Sequence, residues 1–406
     1  MSSTSAVSPS RAEAVPAGSL ALPPVDRSAL GFALAALALF TAIIGLEVSG
    51  RMALLFLIGA GLGAALLHGA FGFTAGWRQA WNGDGRGLRA QFVVIALTSL
   101  FFIPLINGYA PEGLQLRGAL APVGTSLVVG AFIFGLGMQL GNGCGSGTLF
   151  TLGGGSKRMA ITLAGFIAGA VVGAIHLPWW LAQPGFDPVN LVDSLGVPGT
   201  ILAQAAALGL IAWFTLRREK ALGIAPAAAP RAPLSQRLLR GPWTPLEAGL
   251  ALVALGVATL LVAGHPWTIT FGFTVWGAKI ASVFGVDMSQ FEFFTWDRPA
   301  RALSQSVLAD NTSVMNTGLI LGAMLAAALA GKFATDQKIP LRSAAGALIG
   351  GLLMGYGARL AFGCNIGAYL AGIASGSLHG WVWFAAAFAG TVVGIRVRPF
   401  FGLSKS

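Results

Sequence analysis

Two cysteines are the side chains of this sequence best suited to chemistry, because a thiol donates a weak hydrogen bond when protonated and becomes a nucleophile when ionised. They are Cys144 and Cys364, and the 406-residue chain contains no other cysteine. The stretches around them can be aligned: FGLGMQLGNGCGSG at residues 134–147 and MGYGARLAFGCNIG at 354–367. Both match the pattern GxGxxLxxGCxxG. This repetition predicts two related halves that each bring one thiol to a shared site.

The glycines of these stretches predict a break in a helix at each cysteine. Glycine inside a helix costs up to about 1 kcal/mol relative to alanine, so this density favours close helix packing that ends in a break. A short helix would begin after each cysteine, where Ser146 and Thr148, or Asn365 in the second stretch, would satisfy its free amides. Each thiol would then lie at a helix N-terminus, which attracts anions. The predicted substrate-binding residues are Cys144, Cys364, Gly143, Gly363, Gly145, Asn365, Arg359 and Gln139.

The composition of the chain excludes a soluble globular protein. Apolar residues make up 55% of the sequence and charged residues 10%, with a mean hydropathy of +0.76. These values are typical of an all-α polytopic membrane protein. A spanning helix takes about 20 apolar residues. We predict ten spans, near residues 29–48, 52–68, 90–107, 120–141, 159–177, 199–215, 245–264, 313–333, 344–362 and 379–396.

Four apolar pieces between these spans are too short to cross a bilayer. They lie at about residues 71–81, 144–152, 271–280 and 364–373. Ten helical residues reach about 15 Å, which is half of the roughly 30 Å hydrocarbon thickness. We therefore expect four re-entrant or broken helices.

The basic residues indicate how the chain is oriented. With the N-terminus inside, most of the 25 lysines and arginines fall in inner segments, as the positive-inside rule requires. This predicts that both termini lie in the cytoplasm. The net charge of +11 is therefore explained by topology, which argues against a nucleic-acid-binding surface.

The repeat extends beyond the cysteines. The sequence FGFT occurs at residues 71–74 and 271–274, and AGAVVG at 168–173 is followed by AGTVVG at 389–394. Because one extra span separates the copies, we predict inverted repeats, an arrangement whose broken helices form a substrate site in many transporters. The second copy has about 20 extra residues, which we place in the outer loop 286–306. The predicted organisation is a disordered leader at 1–28, one membrane domain at 29–406, repeat one at about 52–177, a connecting span and flexible inner strap at 199–242, and repeat two at about 245–396.

The paired cysteine stretches, the FGFT segments and the glycine-rich halves resemble the YeeE/YedE family of bacterial inner-membrane proteins, over about residues 52–396. This resemblance implies uptake of thiosulfate, or of a related sulfur or selenium compound. It implies that Cys144 and Cys364 contact the substrate in a narrow path. It also implies a cytosolic partner, a sulfur-carrier protein of the TusA type.

A few charged residues fall within or beside the membrane segments. Arg359 lies five residues before Cys364, and its counterpart in the first half is Gln139. A charge in a membrane usually faces a cavity or a partner, so Arg359 would either attract an anion or fulfil a structural role. Arg78 and Lys279 follow the FGFT segments and would draw anions to the inner and outer mouths. The alternative is that both are solvated charges.

We expect no cofactor or metal, since His68, His176, His265 and His379 lack metal-ligand spacing. The hypothesis is inward movement of a small sulfur-containing anion past Cys364 and Cys144. Three alternatives stay open: a membrane sulfurtransferase that forms a cysteine persulfide, a non-transporting subunit of a larger complex, and a disulfide between the two cysteines.

Overall fold

A computed structural model describes residues 23–224, 233–334 and 338–405. Most of the predicted leader and the centre of the inner strap lie outside these residues. The described part contains ten helical segments that are long and apolar enough to cross a membrane, as the sequence predicts. The α-helices are α1 (Arg27–Glu47), α2 (Gly50–His68), α3 (Phe73–Trp81), α4 (Arg86–Ile106), α5 (Thr125–Gly141), α6 (Gly145–Gly153), α7 (Lys157–Leu181), α8 (Leu191–Ala221), α9 (Leu234–Arg240), α10 (Pro245–Ala263), α11 (Thr270–Val283), α12 (Asp297–Ser304), α13 (Asn311–Ala330), α14 (Leu341–Leu360), α15 (Ala371–Ala374) and α16 (Leu378–Val397).

The four short pieces predicted from the sequence are separate helices. They are α3, α6, α11 and a π-helical segment, Asn365–Leu370, that continues into α15. The only regular sheet in the described residues joins two short strands, β1 (Val123–Gly124) and β2 (Gly185–Phe186), which pair antiparallel with Val123 opposite Phe186.

Glycines allow the central helices to approach backbone to backbone. A Cβ atom on Gly135 of α5 would overlap the carbonyl oxygen of Ala387 on α16. A Cβ atom on Gly355 of α14 would in the same way overlap the carbonyl oxygen of Phe166 on α7. Residue 355 follows residue 135 by 220 positions, and residue 387 follows residue 166 by 221, so the two contacts join equivalent positions of the two halves. This close packing explains why glycine recurs along α5 and α14.

The second half has additional short helices on one side of the molecule. The extra residues predicted as a loop form two 3₁₀ helices, Met288–Gln290 and Glu292–Thr295, followed by α12. Phe293 and Phe294 of this segment are buried against α7 and α11. We call residues 286–306 the outer cap, after the side of the membrane on which the sequence predicts them to lie.

The connection between the halves is more helical than the sequence predicts. The predicted span 199–215 is part of α8, which is kinked at Gly196, where φ is +67°. The expected flexible strap begins as the last turns of α8 and ends as α9, and α9 is held by an ion pair between Arg237 and Glu247. Between them, residues 225–232 are not described.

Candidate functional site

The two cysteines occupy equivalent breaks in the backbone. After α5, Asn142 adopts a left-handed conformation with φ of 62°, and Cys144 is extended with φ of −87° and ψ of −166°. After α14, Phe362 is left-handed with φ of 60°, and Cys364 is extended with φ of −101° and ψ of −166°. The predicted helix breaks are therefore present at both cysteines, with the same local geometry.

The glycine immediately before each cysteine lets the chain fold back closely on the helix that follows. A Cβ atom at Gly143 would lie 3.2 Å from the amide nitrogen of Thr148. A Cβ atom at Gly363 would lie 2.8 Å from the amide nitrogen of Ala368, a distance that real Cβ atoms do not reach. Each glycine thus brings the peptide group before the thiol close to the N-terminus of the next helix.

Each cysteine is the N-cap residue of the short helix that follows it. The sulfur atom of Cys144 accepts a hydrogen bond from the amide of Gly147 at 3.4 Å and lies 3.4 Å from Ser146 Oγ. Thr148 Oγ1 donates to the carbonyl oxygen of Cys144 at 2.8 Å. The prediction that Ser146 and Thr148 satisfy the free amides is therefore wrong, because the thiol itself accepts from the helix.

The second break differs from the first in its capping. No side-chain cap bond is found at Cys364 within the described residues. Asn365 was predicted to satisfy the amides there, but its Nδ2 and Oδ1 atoms are buried without a hydrogen-bond partner in the described structure. Its polar atoms are therefore available to a ligand.

The two breaks lie against each other. A Cβ atom at Gly145, the residue after Cys144, would lie 3.0 Å from the sulfur atom of Cys364 and 3.4 Å from Ile269 Cγ2. Both cysteines are buried and both thiols are free, so no disulfide joins them. The structure therefore brings together Cys144, Gly145 and Cys364, as the sequence predicts.

Further buried polar atoms near these breaks have no hydrogen-bond partner among the described residues. They include the Tyr369 hydroxyl, Thr74 Oγ1 and Asn316 Oδ1. Tyr369 lies one turn after Asn365, and its ring contacts Phe73, the neighbour of Thr74. A buried polar group without a partner costs about 1–3 kcal/mol, which a bound ligand or water would offset.

Sequence reasoning missed these three residues as site candidates. Thr74 was visible only as part of the FGFT repeat. Asn316 Nδ2 donates a hydrogen bond to the carbonyl oxygen of Ile269 at 2.9 Å. The side chain of Ile269 in turn lies beside Gly145, because a Cβ atom added at Gly145 would be 3.4 Å from Ile269 Cγ2. The polar residues within the apolar runs of α13 and of the segment after Cys364 were the signal that could have identified Asn316 and Tyr369.

Gln139 and Arg78 meet in the structure. Arg78 Nη1 donates to Gln139 Oε1 at 3.4 Å, and Gln139 Nε2 donates to the carbonyl oxygen of Thr74 at 3.2 Å. These bonds tie α3 to α5 directly before the first break. Arg78 Nε is buried and has no partner in the described residues, so Arg78 retains capacity for an anion.

Two further arginines hold the C-terminal end of α5. Arg158 donates to the carbonyl oxygens of Gly141 and Leu140 at 2.5 and 2.7 Å. Arg398 Nη1 donates to the carbonyl oxygen of Gln139 at 2.5 Å. Cations at this end complement the helix dipole and fix the start of the first break.

Arg359 lies beneath the outer cap and away from its counterpart Gln139. Its guanidinium lies 5.3 Å from the ring centroid of Phe293, and its Nε and Nη1 atoms have no partner among the described residues. Lys279 Nζ donates to the carbonyl oxygen of Leu303 at 2.8 Å. Both cations therefore contact the outer cap, and neither is shown beside a cysteine.

A cavity of about 550 Å³ opens beside the outer cap. Arg298 stacks over Phe271 of the second FGFT segment at 4.2 Å. Burial lowers the pKa of the Arg298 guanidinium, an effect that Asp310 opposes, but arginine stays charged at neutral pH. The charged and polar residues that line this outer cavity are Arg117, His265, Arg298, Arg301, Gln305, Ser306, Asp310 and Asn311.

A second cavity of about 140 Å³ adjoins the first FGFT segment and is lined by Phe71, Gln79 and Gln91. Pro245, the first residue of α10, also lines it, whereas His265 of the outer cavity lies two residues beyond the end of α10. The 19 residues of α10 span about 28 Å. The two FGFT segments thus border cavities at opposite ends of a membrane helix.

Within the described residues, no group of three His, Cys, Asp or Glu side chains is placed to hold a metal ion.

The chain matches the sulphur transport family over residues 68–393. It is 29% identical over 338 residues to the thiosulfate transporter TsuA of Spirochaeta thermophila, which covers 80% of this chain and 92% of that protein. It is 27% identical over 342 residues to the thiosulfate transporter TsuA of Escherichia coli, which covers 80% and 88%. The probable transporter YedE of Escherichia coli is 32% identical over 154 residues, or 38% of this chain and 37% of that protein.

Proposed function

The chain belongs to the sulphur transport family, and we propose that within it this protein takes up thiosulfate, or a similar small sulfur-containing anion, through a path that passes both cysteines. That it is a multi-pass membrane protein that transports a sulfur compound follows from the family and from its ten spans. The observation that carries the finer proposal is the contact between the two breaks. The support it gives is that Gly145, which follows Cys144 at the start of one short helix, lies against the sulfur of Cys364, the N-cap residue of the other.

This arrangement suits an anion that must bind and then leave. Helix N-termini attract negative charge through their free amides and the helix dipole, without a fixed cation. Thiols add weak donors, and the unpartnered Asn365 and Tyr369 supply neutral polar contacts. Conduction needs binding that is favourable enough for entry and weak enough for release.

The two cavities supply the ends of the proposed path. The anion would collect in the arginine-rich outer cavity, pass Cys364 and Cys144, and leave past Arg78 or by the cavity that Phe71 and Gln79 line. The arginines of the outer cavity replace Lys279 as the proposed outer mouth, because Lys279 is already bonded to the outer cap. The positive-inside distribution supports an orientation in a bacterial inner membrane with both termini in the cytoplasm. In that orientation, movement from the outer cavity toward Arg78 is inward.

The equivalent contacts of the two halves support an inverted repeat around this path. Each half contributes one FGFT segment, one broken helix and one cysteine. The family resemblance adds a cytosolic sulfur carrier of the TusA type as the partner that would receive the sulfur compound on the inner side.

The test is uptake of radiolabelled thiosulfate by the purified protein in sealed vesicles. We expect uptake by the protein alone, and a loss of about tenfold or more when Cys144 or Cys364 is replaced by alanine. Full uptake by both variants would refute the two-cysteine path. A persulfide trapped on either cysteine during turnover would favour the sulfurtransferase hypothesis over the transport hypothesis.

A further inference from the structure

An apolar groove lies on the membrane-facing side of the molecule, away from the cysteines. It encloses about 530 Å³ between α3, α4, α8 and α16. Its walls are formed mainly by Ile211, Phe214, Trp381, Phe384 and Phe388. Helix α8 is poorly covered by the rest of the protein, since only 17% of its most apolar 18-residue stretch is buried.

One end of the groove is cationic. Arg218 lines the cavity, and its Nη2 atom donates to the carbonyl oxygen of Trp81 at 2.8 Å. Its neighbour Arg217 lies over the ring of Trp213 at 4.1 Å. Tryptophan is enriched where a membrane meets water, so these contacts place the basic end at the level of the lipid headgroups.

The basic charge at this end is not neutralised by the protein. The nearby acidic side chains are already paired, Glu219 with Arg89 at 2.8 Å and Asp84 with Arg86. Arg217, Arg218 and Lys220 form no ion pair with any residue that the structure describes. Arg218 lines the groove, and Arg217 and Lys220 are its neighbours on α8, so this end has basic charge that an anionic headgroup would neutralise.

We propose that this groove binds an anionic phospholipid of the adjacent leaflet, with one acyl chain between Phe384 and Phe214 and the phosphate at Arg218. The groove matches an amphiphile in two independent ways. The residues along it are mostly apolar, and its charged residue, Arg218, lies at one end. Basic residues beside a membrane contribute about 1 kcal/mol each to the binding of anionic lipid. The site is separate from the proposed substrate path and does not depend on it.

The experiment measures phosphatidylglycerol and phosphatidylcholine bound to the purified full-length protein by native mass spectrometry after exchange into mixed vesicles. We expect phosphatidylglycerol to be retained selectively. The double variant Arg217→Gln/Arg218→Gln should bind it about thirtyfold more weakly, which corresponds to about 2 kcal/mol. The matched control is Arg342→Gln/Arg396→Gln, which removes the same charge from exposed basic residues outside the groove and should bind as the unaltered protein does.

A second pair of variants tests the apolar part. Ala385 lines the groove and is exposed, so Ala385→Phe should fill the space and release the lipid while all charges remain. Ala389 is exposed on the same helix but outside the lining, and Ala389→Phe should retain the lipid. Equal binding of the two lipids, or unchanged binding in the Arg217/Arg218 double variant, would overturn the proposal. So would a protein dimer that Ala385→Phe dissociates, because a second copy would then fill the groove.

Discussion

The sulfur atom of Cys364 lies directly against Gly145, the residue that follows the other cysteine: a Cβ atom added at Gly145 would lie 3.0 Å from it. The two cysteines are 220 residues apart in the sequence, yet the sulfur of Cys364 lies against the residue that follows Cys144. The absence of a side chain at residue 145 keeps Cys364 beside the first break.

We therefore expect Gly145→Ala to impair transport without unfolding the protein. The added methyl group would crowd the sulfur of Cys364, whereas alanine favours the helix that begins at this residue by up to about 1 kcal/mol. Thiosulfate uptake should fall about tenfold or more while the melting temperature changes little, since overpacking and helix propensity oppose each other. The matched control is Gly147→Ala on the same helix, where the Cβ atom would lie 3.5 Å from the Cys144 sulfur, an ordinary contact. Equal uptake by the two variants would contradict the prediction.

The two cysteines should respond differently to serine and alanine. At Cys144 the sulfur accepts the Gly147 amide, so serine keeps an N-cap acceptor and alanine loses it, at a cost of about 1 kcal/mol. At Cys364 no side-chain cap bond is present in the described structure, and serine would bury a hydroxyl without a partner. Thermal unfolding in detergent should rank serine above alanine at residue 144 but not at residue 364. The same ranking at both residues would show that the breaks are capped alike.

The sequence was sufficient to predict the spans, the short helices and the meeting of the two cysteines, because apolar length and glycine spacing are local signals that repeat. It could not predict the capping, since the Cys144 sulfur accepts the Gly147 amide, while Ser146 Oγ lies against that sulfur and Thr148 Oγ1 donates to the Cys144 carbonyl oxygen. Nor could it predict that Arg359 lies under Phe293 or that Lys279 is bonded to Leu303. Those contacts depend on how the outer cap folds back on α11 and α14. The Asn365 prediction failed because Cys364 is the N-cap residue and Asn365 is already the first residue of the helix.

The outer cavity should set the apparent affinity for the substrate. Arg298→Gln and Arg301→Gln each remove a charge that draws the anion in, so each should raise the KM for thiosulfate by about three- to tenfold and leave the maximal rate nearly unchanged. The effect should shrink at high ionic strength. Lys279→Gln is the control, because its ammonium is held by a loop carbonyl. A larger KM change for Lys279→Gln than for Arg298→Gln would restore Lys279 as the outer mouth.

Acid should lower the stability of the folded protein through His265, which lines the outer cavity and lies outside the membrane spans. Burial lowers the pKa of His265 below its ordinary value of about 6.5; the Pro266 carbonyl and Asp310 oppose this shift, while Arg298 and Arg51 add to it. The unfolded chain therefore binds more protons as the pH falls. The stability contributed by neutral His265 is complete above about pH 6.5 and is lost as the pH falls toward its folded pKa.

We expect His265→Gln to reduce the dependence of the melting temperature on pH between about pH 7.5 and pH 5. Neutral His265 donates from Nδ1 to the Pro266 carbonyl oxygen at 2.9 Å and accepts at Nε2 from Asn311 at 3.3 Å, a bond that protonation of Nε2 would abolish. An identical pH dependence in the variant and the unaltered protein would exclude His265 as its source.

Removing the hydroxyl of Tyr369 tests whether this residue has a role in transport or only a structural role. It is buried without a partner in the described structure, so removing it in Tyr369→Phe costs no protein hydrogen bond and should leave the melting temperature equal or higher. If it contacts the passing anion or its water, uptake should nevertheless fall about fivefold or more. Tyr356 is the matched control, because its hydroxyl accepts from Trp180 Nε1 at 2.9 Å and lies 3.3 Å from His176 Nδ1. Tyr356→Phe should lower the melting temperature and spare uptake. Full uptake by Tyr369→Phe in the vesicle assay would remove Tyr369 from the proposed path and leave Asn365 as the polar contact beside Cys364.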